Sequence, residues 1–106
     1  MARYLWQVSY THEGVKGLAK EGGTGRRKAV EKVVGGLGGS LEAFYFAFGD
    51  DDVYCIVDLP DNVSAASVSI TVGAAGAARV KTVVLLTPEE IDEATKRSMD
   101  YRAPGA

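Results

Sequence analysis

Apolar and polar positions alternate most clearly between Leu41 and Leu59, where two strand-like runs flank a Gly49-Asp50-Asp51-Asp52 turn. The pattern predicts a long antiparallel hairpin, with strands over Ser40–Phe48 and Asp52–Leu59 and carboxylates at its tip. Pro60 and Asp61 stop the second run. Upstream, Arg3–Tyr10 is rich in aromatic and branched residues and reads as a first strand. Thr11 can cap a helix that carries Glu13 in its first turn and Val15, Leu18 and Ala19 at helical spacing. Gly22, Gly23 and Gly25 interrupt that helix, because glycine disfavours helix interiors. It resumes over Arg26–Leu37 on a stripe of Ala29, Val30, Val33, Val34 and Leu37, so one kinked helix or two helical pieces are expected.

Beyond the hairpin, Asp61 or Asn62 can cap a helix over about Val63–Ala75, with Val63, Ala66, Ile70 and Ala74 on the face expected to pack against the sheet. Gly76 ends it and Ala77–Leu86 reads as a fourth strand. Thr87-Pro88-Glu89-Glu90 then starts a tail helix, with Thr87 as cap, proline at the first position and Glu90 completing a capping box. The order is β-α-β-β-α-β plus a helix, which predicts an α+β, ferredoxin-like antiparallel sheet in the order 4-1-3-2. One domain over residues 1–106 is expected, with its core over residues 3–93 and a frayed tail over residues 100–106.

The helices of such a fold cover one sheet face. Val53, Cys55, Val57 and Leu59 belong on that face, and Tyr54, Ile56 and Asp58 on the other. The last strand divides the same way, with Arg79, Lys81, Val83 and Leu85 on the open side. If Ala43 and Ala47 meet the helices, Phe44 and Phe46 join the open face. That face would then be too apolar to stay wet. A second copy of the chain would cover it, with Phe44, Phe46, Ile56, Val83 and Leu85 at the dimer interface and two sheets closing into one barrel.

The chain resembles the GYD-domain family, small proteins with the dimeric α+β barrel fold, from Tyr4 to about Glu93. The similarity rests on YLWQVSYT at Tyr4–Thr11, RRKAVEK at Arg26–Lys32, LGGSLEAFYFAFGDDDVYCIVDLPD at Leu37–Asp61 and KTVVLLTPEE at Lys81–Glu90. Gly49 and Asp52 match the ends of the family's glycine–tyrosine–aspartate signature, but Asp51 stands where the tyrosine belongs. The resemblance implies the fold and a homodimer, and no particular chemistry.

Composition narrows the function little. A 46% hydrophobic and 25% charged chain with a net charge of −2 is ordinary for a globular domain and argues against a nucleic-acid binder with a basic surface. The longest uncharged stretch, Asn62–Ala78, is too rich in Ser, Ala and Gly to span a bilayer, so no membrane partner is expected. No signal peptide is visible in MARYLWQVSY. The single cysteine, Cys55, allows no intrachain disulfide, fits a cytoplasmic protein and sits in a strand pattern that suits a buried, inert thiol.

Strand direction puts His12, the Asp50–Asp52 cluster, Tyr54 and Arg79 at one rim of the sheet. His12 beside Asp52 could act as a general base, with Tyr54 a further catalytic candidate and Arg79 holding an anion. Turn and surface roles are the plainer reading of the same residues. Three consecutive aspartates do not converge easily on a cation, so no metal site is assigned, and no cofactor is implied. GGTGRRK at Gly22–Lys28 lacks the strand and ending of a phosphate loop. It reads as a helix break with a basic face that attracts anions at most. Trp6 and Val8 read as core. Gln7, His12, Tyr54, Arg79 and Lys81 are the ligand-binding candidates, in a mixed cavity between subunits. A homodimeric binding or accessory domain for a small ligand is the favoured function. The alternatives are a cofactor-free barrel enzyme (a monooxygenase or isomerase type) acting on a small aromatic or carbonyl compound, and a protein-interaction or regulatory module.

Overall fold

The computed structural model describes residues 1–106. Strand β1 (Ala2–Tyr10) leads through α1 (His12–Glu21) and α2 (Gly23–Gly36) to the hairpin of β2 (Ser40–Phe46) and β3 (Val53–Leu59). Helix α3 (Asn62–Ala75), strand β4 (Ala78–Leu85) and helix α4 (Pro88–Thr95) follow. The four strands form one antiparallel sheet in the order β2-β3-β1-β4, the order expected from the sequence. No helix is long and apolar enough to cross a membrane.

The glycine-rich break resolves into two helices. Gly22, at φ 83°, ends α1 and precedes α2, a backbone conformation that residues with a Cβ rarely adopt. Thr11 caps α1 by accepting a hydrogen bond from the Gly14 amide. It also ties α1 to the turn before β4, because its amide donates to the Ala77 carbonyl at 3.0 Å and its hydroxyl donates to Gly76 O at 2.8 Å. Gly14 lies so close to the Ala77 carbonyl that a Cβ there would overlap it. The α1 axis therefore presses on the start of β4.

The core lies between the sheet and helices α2 and α3. Tyr4, Trp6, Val53, Cys55, Val57 and Leu59 enter it from the strands, and Val34, Ala65 and Val68 from the helices. Residues opposite one another in an antiparallel pair share a face, so the Trp6–Cys55 and Trp6–Thr82 pairings mark the helix side.

Two expectations about facing are overturned. The register of β2 slips between Leu41 and Ala43, leaving Glu42 as a bulge. Leu41 then sits opposite Val57, Phe44 opposite Cys55 and Phe46 opposite Val53, all on the helix side. Phe44 and Phe46 pack edge to face there, with centroids 5.3 Å apart. They are not open-face residues, and the open side of β2 carries Ala43 and Tyr45. The small residue in this contact is on the helix, because a Cβ on Gly23 would stand 2.9 Å from the Phe46 ring. Helix α3 is likewise turned from the expected face. Ala65, Val68 and Val72 pack inward, while Val63 and Ile70 are exposed. Asp61 caps this helix through Oδ1, which accepts from the Ser64 amide at 2.9 Å.

The chain is elongated. Its extents are 56 × 33 × 23 Å and its radius of gyration is 17.0 Å, against about 13 Å for a compact chain of this length. Every residue from Pro88 to Ala106 is exposed. Helix α4 has the predicted capping box, with Thr87 N donating to Glu90 Oε1 and Glu90 N donating to Thr87 Oγ1.

Candidate functional site

The open sheet face is built in rows. Ala43, Ile56, Leu5 and Val83 lie side by side across all four strands and form an apolar row. Tyr45, Tyr54, Gln7 and Lys81 form the next row. Charged groups bound the rows at both ends. On one side Arg3 bridges Glu42 at 2.9 Å and Asp58 at 3.5 Å. On the other, Asp51 Oδ1 accepts from Ser9 Oγ at 3.0 Å and pairs with Lys81 Nζ at 3.1 Å.

Asp51 is 3% exposed, which the turn pattern did not foretell. Burial pushes its carboxyl up, but Lys81 and Ser9, helped by Tyr54, outweigh that and hold it below its ordinary value of 3.8. The Asp52 carboxylate goes elsewhere and accepts the Tyr10 amide at 2.7 Å, while the Asp52 amide donates to Val8 O at 2.7 Å. Asp50 is exposed. The three aspartates therefore diverge.

His12, Asp52 and Arg79 lie at the same end of the sheet, since Ser9 pairs with Arg79 and Tyr10 bonds Asp52. They do not form a working constellation. His12 is exposed at the first position of α1 and makes no hydrogen bond or ion pair. Arg79 is exposed on the open face beside Lys81. Gln7 and Tyr54 are half-buried in the polar row.

The cavity of ligand size is on the other side of the sheet. It holds about 330 Å³ between the strands and helices α1, α2 and α3, at the lower end of small-molecule pockets. Val8, Phe44 and Val80 line its floor, and Leu18, Val30 and Val72 its helical walls. None of the ligand-binding residues expected from the sequence lines it, whereas Trp6, Tyr10 and Arg26 do. Trp6 is 3% exposed and its indole N–H has no acceptor, where a buried donor is normally paired. Tyr10 also lines the cavity. Burial raises its phenol, with Arg26 opposing. The Cys55 thiol lies in the wall and is pushed up to about 12 by burial, so it stays protonated at neutral pH. Charged side chains mark the opening, with Arg26 paired to Glu21 at 3.5 Å and Glu13 held by Lys16 at 4.0 Å.

Sequence reasoning missed this cavity. Gly14 and Gly17 place a bare strip of α1 over the sheet, and a lone tryptophan in β1 faces it. A strand tryptophan reads as core, because its unpaired N–H is visible only once its neighbours are known.

A family model described as the GYD domain matches residues 4–95. No curated protein and no solved structure matches the chain.

Proposed function

The chain belongs to the GYD-domain family, and on that premise we propose that it is a homodimeric binding domain for a small, largely apolar ligand held between sheet and helices. The observation that carries this reading is the 330 Å³ apolar cavity under helices α1, α2 and α3, with the Trp6 side chain in its wall. The homodimer is supported by the row Ala43–Ile56–Leu5–Val83, which no helix covers and which charged clusters flank. Apolar centres with polar rims are the usual anatomy of an interface.

The enzyme reading has less support. The His12 and Asp52 pair lies outside the cavity, and the cavity's thiol is not a ready nucleophile. Trp6 is the only tryptophan, so its fluorescence reports on the cavity alone. Titration with a neutral, acceptor-bearing aromatic ketone should change that emission saturably. Unchanged emission, together with unchanged amide resonances of the lining residues, would overturn the binding reading.

A further inference from the structure

We infer that the C-terminal arm, Pro88–Ala106, is exchanged between subunits, and that helix α4 docks on the outer face of α2 in a second copy of the chain. This rests on the homodimer proposed above and adds a second contact to it. Helix α4 is encoded but has nothing to pack on. Its eight residues begin with a full capping box and a proline, yet every residue of the arm is exposed. A lone helix shorter than about 12–15 residues is marginal in water, so its caps alone do not hold it. The helix is also two-sided. Pro88, Ile91, Ala94 and Thr95 share one side at helical spacing, and Glu89 and Glu93 take the opposite side. Ile91 is exposed on that apolar side, and Met99 and Tyr101 are exposed further along the arm.

Charge identifies the partner. Helix α4 carries four carboxylates and no cation, and the arm's cations, Lys96, Arg97 and Arg102, all follow it. Arg97 pairs with Glu93 at 3.8 Å and the capping box uses Glu90, which leaves Glu89 and Asp92 without a partner. The outer face of α2 has the opposite character. Lys28 and Lys32 are exposed there, one turn apart, and neither makes an ion pair. The one carboxylate of α2, Glu31, is held by Arg27 at 3.6 Å. Gly35 and Gly36 continue the face, and a Cβ on either would meet nothing within 4 Å. Nothing inside the chain requires these two glycines, and they leave room for the backbone of a second helix. Within one chain the two helices lie apart. Helix α2 packs on β2 and α3 on β4, at opposite edges of the sheet. Only Leu86 and Thr87 connect β4 to α4, and Pro88 with the capping box fixes the direction in which the helix leaves. In a barrel closed from two sheets, an edge of one lies beside an edge of the other. Docking on α2 makes the partner's edge β2, and two-fold symmetry makes the exchange reciprocal.

The test is sedimentation of the full chain with exposed charges reversed. Lys28→Glu with Lys32→Glu should weaken the dimer about tenfold, because two attractions become two repulsions. Glu89→Lys with Asp92→Lys should weaken it by a similar factor. Combining all four substitutions should restore most of the loss, and circular dichroism should stay unchanged throughout. In a second measurement, chains carrying Asp92→Cys are mixed with chains carrying Lys28→Cys and treated with a short bismaleimide. A covalent heterodimer should form, and Cys55, buried and protonated, does not compete. Reversals that leave dimerisation unchanged, a four-fold variant no tighter than the paired ones, or a missing heterodimer would each overturn this inference and leave the homodimer reading intact. A wild type that is monomeric at micromolar concentration would overturn both.

Discussion

Asp51 and Lys81 form an ion pair of unequal partners across the open sheet face. The carboxylate is 4% exposed and the ammonium-bearing side chain 62%, with 3.1 Å between Oδ1 and Nζ. Ser9 and Lys81 together hold this buried charge at the rim next to the apolar row.

The pair predicts an acid-sensitive fold. The folded-state value of Asp51 is depressed below 3.8, so its stabilising contribution is present above pH 3.8 and is lost as pH falls through the folded value. Melting temperature followed against pH should fall on the acid side less steeply in Asp51→Asn than in the wild type. Lys81→Met should be more damaging at neutral pH than Asp51→Asn, because it leaves a buried carboxylate without its cation. Equal melting temperatures for the two variants would refute the pairing.

Substitutions on the two sheet faces should separate assembly from folding. Val83→Glu puts a charge into the exposed apolar row and should dissociate the homodimer at micromolar concentration while leaving the circular dichroism unchanged. Phe46→Ala, on the helix side, should lower stability by about 2 kcal/mol, since the ring is partly exposed, and leave the dimer intact. Native mass spectrometry and thermal melts distinguish these outcomes. A monomeric wild type, or a dimer unaffected by Val83→Glu, would rule out the open face as the interface.

Gly14→Ala should disturb the cavity from outside it. The added methyl meets the Ala77 carbonyl, which is backbone and cannot swing away. Helix α1 must shift, at a cost of about 1–3 kcal/mol for overpacking. The checks are a lowered melting temperature and weakened probe binding. Gly17→Ala meets nothing within 4 Å and serves as the control.

The strand order and the faces of β1, β3 and β4 were legible in the sequence, because alternation there is clean and the β-α-β-β-α-β order leaves few topologies. The face of β2 was not. Strict alternation cannot put Leu41 and Phe44 on one side, and the bulge at Glu42 that does so leaves no mark in the residue types. Helix α3 was illegible for a different reason. It has no charged residue between Asn62 and Ala75, so Val63–Ala66–Ile70 and Ala65–Val68–Val72 look equally apolar. The rim residues were placed at the right end of the sheet from strand direction alone. The cavity could not be read, because it arises from where α1 lands, and that depends on Gly14 and Ala77, far apart in sequence.

The central claim is that the ligand enters under the helices and meets Trp6. The most direct measurement is the indole N–H resonance of Trp6 in a ¹⁵N-labelled sample, the only indole signal in the spectrum. On addition of 2-acetonaphthone, a neutral aromatic ketone, it should shift and saturate as the ligand packs against the indole, together with the amides of Val30 and Val72. An unmoved indole alongside shifting amides at Tyr54 and Lys81 would put the ligand on the open sheet face and contradict the account.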